Sequence, residues 1–211
     1  MKKITILIIS ALFTLTTSAF AGGMVGVKYG IGDLDGTSKS YVAGSNTYAK
    51  ETGSKDSEFG AIFAEVNIKE SPISVGLEYV PLDADVSLNG KNSGVSANVA
   101  DYTTIYALAM HDLTKFSVYA KLGYSQADIG GLKNDDTTTA VNSQSNKLQG
   151  MMYGVGIQSQ ELPFGLVARA EYTLTEFDDI SITTTSNGSA STKKTAESEL
   201  STLTFSLAKS F

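Results

Sequence analysis

Six charged side chains interrupt stretches of apolar or small residues and are the first candidates for chemistry. Three are cations and three are carboxylates. Each belongs to a series of every second residue that otherwise contains mainly glycine and alanine. The six are Lys28, Glu65, Glu78, Lys121, Arg169 and Glu171. Charges that face a narrow interior are costly unless they are paired. The balanced set therefore predicts an internal ion-pair network, either a fixed plug or a gate whose pairs exchange to let ions through.

Groups suited to catalysis or metal binding are scarce. His111 is the single histidine, and Asp112 beside it would point to the opposite face of a strand, so the two form no acid–base dyad. The stretch DLDG at 33–36 resembles the start of a calcium loop, but Gly44 occupies the position of the bidentate glutamate. We therefore predict a protein that is not an enzyme, with no catalytic residue, no cofactor and no metal site.

The composition narrows the class of protein that positions these charges. The 211 residues include no cysteine and three prolines, and the formal net charge is −6. The lack of cysteine excludes a disulfide framework, and an acidic chain with few basic clusters is a poor partner for nucleic acid. Alternation of apolar and polar residues recurs along the chain, whereas helical periodicity is hard to find, which predicts an all-β domain.

The first residues have the features of an export signal. A basic MKK start is followed by an apolar run at 4–17 that is too short to cross a bilayer comfortably, and then by an A-x-A motif at Ala19 and Ala21. We predict that residues 1–21 are a cleaved signal peptide and that 22–211 form a single domain. The removal of two lysines would take the formal charge from −6 to −8.

Eight stretches with period-2 alternation are long enough to cross a hydrocarbon layer as tilted strands, which need about 9–11 residues. They lie at about 23–32, 59–69, 73–82, 101–112, 115–127, 148–159, 164–177 and 198–211. Every second connection, beginning with the first, is long and polar: about 33–57, 84–99, 128–147 and 178–197. An up-and-down barrel would place these four long loops at one end and the short turns at the other, as transmembrane barrels do.

The two faces of these strands decide between a membrane barrel and a soluble one. One face carries large apolar residues, such as Val27 and Ile31 in the first strand, and the fourth strand contributes Tyr102, Tyr106, Leu108 and Met110. The other face carries glycine, alanine and the six charges, and small residues suit the tight interior of a narrow barrel. We predict an all-β, eight-stranded antiparallel up-and-down transmembrane β-barrel. A soluble lipocalin-like barrel is the structural alternative.

Aromatic residues and the terminal strand support the membrane assignment. Aromatic girdles at the two interfaces are predicted from Tyr29, Tyr79, Tyr102, Tyr124 and Tyr172 near the long loops and from Phe116, Phe164 and Phe211 near the short turns. The chain ends in LSTLTFSLAKSF, with a C-terminal assembly signature formed by Leu203, Phe205, Leu207 and Phe211. In a closed barrel this strand pairs with the first one, so no edge is exposed.

The stretch YGVGIQSQELPFGLVARAEYTLTEFDD at 153–179 resembles the penultimate hairpin of small eight-stranded outer-membrane barrels, the family of the OmpA transmembrane domain, OmpX and the opacity-type surface antigens. A Y-G-x-G strand, a short turn and an L-x-x-R-x-E-Y strand carry the resemblance: Tyr153, Gly154, Gly156, Leu166, Arg169, Glu171 and Tyr172. With the signal peptide and the terminal phenylalanine, the resemblance extends over the whole mature chain. Lys209 departs from the family's terminal signature, where an aromatic or aliphatic residue is usual.

The resemblance implies the outer membrane of a Gram-negative bacterium and a scaffold whose loops carry its function. The expected partners are outer-membrane lipid and lipopolysaccharide, the barrel-assembly machinery that recognises the terminal strand, and host or surface ligands of the long extracellular loops. We expect adhesion, host or surface interaction, or membrane integrity as the function. A small gated, porin-like pore is the alternative, and it would show ion conductance.

Overall fold

The computed structural model describes residues 20–43, 46–81, 84–90, 93–134, 139–143, 147–186 and 192–211. These residues form twelve β-strands: β1 (Phe20–Ser38), β2 (Tyr41–Ala43), β3 (Asn46–Tyr48), β4 (Glu51–Ile68), β5 (Ile73–Val80), β6 (Ala84–Gly90), β7 (Ser93–Asp112), β8 (Phe116–Asn134), β9 (Thr139–Ser143), β10 (Lys147–Ser159), β11 (Leu166–Ser186) and β12 (Thr192–Ser210). A 3₁₀ turn, Pro163–Gly165, precedes β11. In this described part of the chain, no helix is long and apolar enough to cross a membrane.

Eight of the strands close into one antiparallel barrel. They pair in the order β1, β4, β5, β7, β8, β10, β11 and β12, and β12 pairs back onto β1. Because the sheet closes on itself, each of these strands has a hydrogen-bonding neighbour on both sides, as a wall in hydrocarbon requires. The predicted eight-stranded up-and-down barrel is confirmed.

The first strand overlaps the predicted end of the signal peptide. Residues 1–19 lie outside the described residues, whereas Phe20 is the first residue of β1 and pairs with β4. The pairing shifts before Gly23, and from there it continues without interruption to Ser38. Cleavage after Ala21, which stays a prediction, would leave this uninterrupted part of the strand intact.

The barrel strands continue well beyond their predicted ends, so the predicted long loops are too long. β1 and β4 remain paired as far as Ser38 and Glu51, although this segment has the composition of a loop. β11 and β12 remain paired as far as Thr184 and Thr192, and β6 forms a hairpin with β7 inside the predicted loop at 84–99. Threonine is frequent in strands. Strands that extend beyond the hydrocarbon layer are surrounded by water and do not require an apolar face. Composition therefore marks the end of the apolar wall and not the end of the strand.

The short connections lie at the same end of the barrel as the start of β1 and the end of β12. Three links, at 69–72, 113–115 and 160–165, join β4 to β5, β7 to β8 and β10 to β11. At this end the Gly23 N–H donates to the Phe211 carbonyl oxygen, and the Phe211 N–H donates to the Gly23 carbonyl oxygen, both at 3.0 Å. The terminal strand is therefore paired to its last residue and offers no free edge to another molecule.

The fourth predicted strand faces the opposite way to the prediction. Ile105 of β7 is 63% exposed on the outer surface, whereas Tyr106 is buried inside the barrel. Tyr106 pairs with Gly76 on one side and with Gly123 on the other. Directly paired residues share a face, and two glycines leave room for a large ring, so the interior takes the tyrosine. The inner phase of β7 thus contains the residues predicted for the lipid side: Tyr102, Tyr106, Leu108 and Met110.

Candidate functional site

All six predicted charges point into the barrel, because they alternate with residues of the outer wall. Lys28, for example, is buried between Val27 and Tyr29, which are 58% and 49% exposed. The six side chains are only 1% to 10% exposed. They come from β1 (Lys28), β4 (Glu65), β5 (Glu78), β8 (Lys121) and β11 (Arg169 and Glu171).

Four of these side chains form the charged ring, a closed circuit of alternating charge. Lys28 Nζ lies 2.6 Å from Glu78 Oε2 and 2.9 Å from Glu171 Oε1. Lys121 Nζ lies 3.1 Å from Glu78 Oε2 and 3.0 Å from Glu171 Oε1. Their strands, β1, β5, β8 and β11, are every second strand around the barrel. The charged ring therefore reaches the middle of the lumen from all sides.

The remaining two charges form a pair nearer the short-turn ends of β4 and β11. Arg169 donates through Nη1 and Nη2 to the two oxygens of Glu65, at 2.5 and 3.0 Å. Its Nε donates to Gln158 Oε1 at 2.7 Å, and the Tyr106 hydroxyl donates to Glu65 Oε2 at 3.0 Å. A bidentate arginine–carboxylate contact is the strongest geometry for such a pair. The Arg169–Glu65 pair therefore stabilises the lumen on the short-turn side of the charged ring.

Aromatic rings fill the space around the charges. Lys121 Nζ lies 3.9 Å from the centre of the Tyr106 ring. The Arg169 guanidinium lies 5.2 Å from the centre of the Tyr119 ring, and the Tyr119 hydroxyl donates to Glu171 Oε2 at 3.0 Å. Cations at such distances from an aromatic face are attracted to it. The aromatic residues therefore both stabilise the charges and occupy volume that water would otherwise take.

Glycines on neighbouring strands make room for these aromatic residues. Four inward rings lie directly across from a glycine: Tyr106 from Gly76, Tyr119 from Gly156, Phe63 from Gly26 and Phe59 from Gly30. A β-carbon at Gly156 would lie 2.3 Å from Tyr119 Cζ, and one at Gly76 would lie 2.5 Å from Tyr106 Cζ. The sequence analysis missed these rings as members of the site. The signal was present, since an inward glycine implies a large residue directly opposite when the interior is filled.

The charged ring is arranged to hold its members in place. Each lysine donates to two carboxylates and each carboxylate accepts from two lysines, so every member faces opposite charge on two sides. A buried charge is tolerated only when such contacts offset its loss of water, and removal of one partner leaves the others uncompensated. The geometry therefore holds the four side chains in fixed positions across the lumen.

The predicted girdle aromatics divide into two groups. Six are on the outer surface and are at least 41% exposed: Tyr29, Tyr124, Tyr172, Phe116, Phe164 and Phe211. Tyr79 is half-buried, and its hydroxyl donates to Asp101 Oδ1 at 2.5 Å. Tyr102 was wrongly placed in the girdle, because the phase of β7 turns it inward, where its hydroxyl donates to Ser125 Oγ at 3.0 Å.

The terminal strand carries its apolar residues on the outer wall. Leu203, Phe205 and Leu207 are 44%, 54% and 48% exposed, and Phe211 is 66% exposed. Lys209, the departure from the family signature, donates through Nζ to the carbonyl oxygen of Phe164 in the neighbouring turn. The lysine therefore has a hydrogen-bond partner at the barrel end.

Other candidate chemistry is not assembled in the described residues. No group of three histidine, cysteine, aspartate or glutamate side chains there could hold a metal ion. His111 is exposed near the short turn after β7. Asp112 Oδ1 accepts a hydrogen bond from Ser117 Oγ at 2.6 Å, across to β8.

Comparison with known proteins identifies the family. No curated protein matches the chain. Solved structures similar to it include Neisserial surface protein A (13% identity, 83% of this chain and 95% of that one, TM-score 0.40) and the outer membrane protease OmpT from Escherichia coli (10%, 93% and 99%, 0.43). Another is the N-terminal β-barrel domain of Pseudomonas aeruginosa OprF (13%, 82% and 96%, 0.34). Similarities this low carry no argument about function. The family model for the outer membrane protein beta-barrel domain, in contrast, matches residues 5–206, and the chain therefore belongs to that family.

Proposed function

We propose that this protein is a non-enzymatic outer-membrane β-barrel that closes its own lumen and presents its strand extensions and loops at the cell surface. Its work there is adhesion, host or surface contact, or support of membrane integrity. The observation that carries the proposal is the charged ring of Lys28, Glu78, Lys121 and Glu171, because it spans the interior from every second strand.

Two features of the lumen support its closure. The atoms of the charged ring meet at 2.6 to 3.1 Å, which leaves no room for a water molecule between them. Tyr106 and Tyr119 are each 4% exposed and fill the space beside the charged ring. An eight-stranded barrel is just wide enough for its own side chains to fill. A rigid anchor is therefore better supported than a passage.

The far end of the barrel supports a surface role. There β1, β4, β11 and β12 continue as paired strands beyond the apolar wall, and rigid scaffolds with polar ends are frequent sites of recognition. Lys39 Nζ lies 2.8 Å from both Asp179 Oδ2 and Glu197 Oε1, so the residue that follows β1 is linked to β11 and β12. We extend the proposal to lipopolysaccharide as the surrounding lipid and to the barrel-assembly machinery as the partner that recognises β12.

Single-channel recording in planar lipid bilayers tests the closure. We expect refolded residues 22–211 to insert without steady openings. A variant with both Lys28→Ala and Glu171→Ala stays balanced in charge but loses three of the four contacts of the charged ring, and we expect it to conduct.

Each result has a definite meaning. Steady, reproducible openings of the unmodified protein would replace the closed barrel with the alternative, a gated pore whose ion pairs exchange partners. If the double variant inserts and is silent as well, the charged ring is not what closes the lumen, and the proposal loses the observation that carries it.

A further inference from the structure

We propose that the outer half of the lumen is a binding site for a small neutral molecule with a compact apolar body and one hydroxyl group. The site lies on the long-connection side of the charged ring. It would give the barrel a ligand of its own in addition to its role as a surface anchor.

A cavity of about 260 Å³ occupies this part of the barrel. Its walls are mostly apolar and include a large side chain from each of six strands: Leu34, Phe59, Val80, Leu148, Phe177 and Leu200. Its floor is the charged ring, since Glu78, Lys121 and Glu171 also line it. An apolar cavity with a few convergent polar groups is the usual form of a small-molecule site.

The floor offers a hydrogen-bond acceptor to a ligand. Both lysines reach Glu78 through Oε2, so among the described residues these contacts leave its Oε1 available. Glu78 is also the most exposed member of the charged ring, with 10% of its side chain exposed against 1% to 4% for the others. The Thr173 and Thr202 hydroxyls in the lining share one hydrogen bond, with their oxygens 2.6 Å apart. The available carboxylate oxygen is therefore the natural partner for a hydroxyl donor.

Charge and volume define the class of ligand. The charges of the floor balance, so a charged ligand would bring an uncompensated charge into a buried site, whereas a neutral hydroxyl needs only an acceptor. An apolar cavity of about 150 Å³ is known to hold benzene. The larger volume here leaves room for a substituted ring. A phenol with a small alkyl group combines these properties.

The cavity is reached from the outer end of the barrel. Lys55 and Ser57 line it on that side and are exposed. The charged ring closes the opposite side. In the part of the chain that the structure describes, the cavity is therefore open toward the outer end and closed by the charged ring, so it can bind a molecule without passing it through the membrane.

Two adjacent methionines provide a matched readout. Met152 lines the cavity and is 3% exposed, whereas Met151 is 40% exposed on the outer wall. Residues 22–211, refolded in detergent micelles and labelled with ¹³C in the methionine methyl groups, would be titrated with p-cresol and with toluene, which lacks only the hydroxyl. We expect a saturable shift of the Met152 signal with p-cresol and little change at Met151. Toluene should bind about tenfold more weakly because it cannot donate to the carboxylate.

Two glycine variants test where the probe binds. A β-carbon at Gly32 would lie 3.2 Å from Leu200 Cδ1 in the cavity wall, so Gly32→Leu fills the site. Gly60→Leu adds the same side chain on the outer surface, where the nearest atom to a new β-carbon is the Lys28 carbonyl oxygen at 3.9 Å. We expect the first variant to abolish the Met152 shift and the second to retain it. If Gly32→Leu does not refold, Val99→Phe fills the same cavity from β7.

Three results would overturn the proposal. Equal shifts at the two methionines would mean that the probe only partitions into the micelle. Toluene bound as tightly as p-cresol would exclude a hydroxyl contact. Binding that survives the filling variant would place the probe elsewhere. None of these readouts depends on conductance, so the pocket and the closed lumen are tested separately.

Discussion

Lys28 and Lys121 lie on opposite strands of the barrel and are held by the same two oxygen atoms, Glu78 Oε2 and Glu171 Oε1. Both lysines share the same two carboxylates, so the loss of any one of the four side chains breaks two contacts at once. Substitutions within one buried network of hydrogen bonds and ion pairs do not have additive effects on stability. The four residues should therefore behave as one unit in mutagenesis.

Replacement of Lys121 by methionine should destabilise the barrel by about 3–5 kcal/mol, because one lysine would remain between two buried carboxylates. Urea unfolding in detergent micelles measures the free energy of unfolding. Lys69, whose side chain is 57% exposed, supplies the control Lys69→Met, which should change stability by less than about 0.5 kcal/mol. Equal stability of the two variants would contradict a structural role for the charged ring.

A methyl group added under an inward ring should also be costly. In Gly156→Ala the new β-carbon would lie 2.3 Å from Tyr119 Cζ, so the ring must move and weaken its hydrogen bond to Glu171. We expect a loss of about 1–3 kcal/mol in the free energy of unfolding, as for other overpacked interiors. Gly60→Ala, on the open outer surface, is the matched control. A stability unchanged in both would mean that Tyr119 is free to relocate.

Deletion of Phe211 should weaken the closure of the barrel, because it removes both backbone hydrogen bonds to Gly23. The expected loss is about 1–3 kcal/mol for the two bonds. Phe211→Leu keeps these bonds and should refold in vitro like the unmodified chain. A urea titration compares the stabilities, and the amount of folded protein in outer membranes reports assembly. A deletion that leaves both quantities unchanged would rule out a role for the terminal residue.

Lys39 allows an electrostatic test outside the membrane wall. Hydrogen bonds that Lys39 donates to Asp179 and Glu197 raise the pKa of Lys39 above the ordinary value for lysine. A raised pKa means that the stabilisation is fully present below that ordinary value, about 10.4, and is lost only as the pH rises through the folded value. Lys39→Met should therefore lower the melting temperature slightly and equally at pH 6 and pH 9.

Salt provides the control for this exposed cluster. At about 1 M salt the ion pairs are screened, so the melting temperatures of Lys39→Met and the unmodified protein should converge. A difference that persists at high salt would show that the lysine stabilises the barrel by packing and not by charge.

Alternation along the sequence was sufficient for most of the wall, and its failure in β7 has a clear cause. Lys28 lies between Val27 and Tyr29, so only one phase of β1 is compatible with lipid. In β7 both phases are apolar, since Tyr106 alternates with Ile105 and with alanines. Hydrophobicity cannot choose between two apolar phases. The glycines opposite Tyr106 determine which phase of β7 faces the interior, and this can be recognised only when the pairing of the strands is known.

Which cation pairs with which carboxylate inside the lumen could not be predicted from the sequence for a similar reason. The balance of charge predicts pairing, but it does not say that Arg169 meets Glu65 or that Lys28 meets two carboxylates. Those pairings depend on how far each strand is displaced along its neighbour when the sheet closes. The ends of the strands were equally inaccessible, because backbone hydrogen bonds continue where the apolar pattern stops.

The distance along the chain between members of the charged ring has a consequence for biogenesis. Lys28 meets Glu171 143 positions later. A fragment that lacks β1 or β11 therefore keeps only three of the four charges of the charged ring and leaves one of them uncompensated. A half-formed barrel would hold unmatched charges in its interior, and each would favour the return of that segment to water. The charges of the lumen are thus all compensated only when every strand that carries one of them is in place, so the complete barrel is favoured over partly assembled forms.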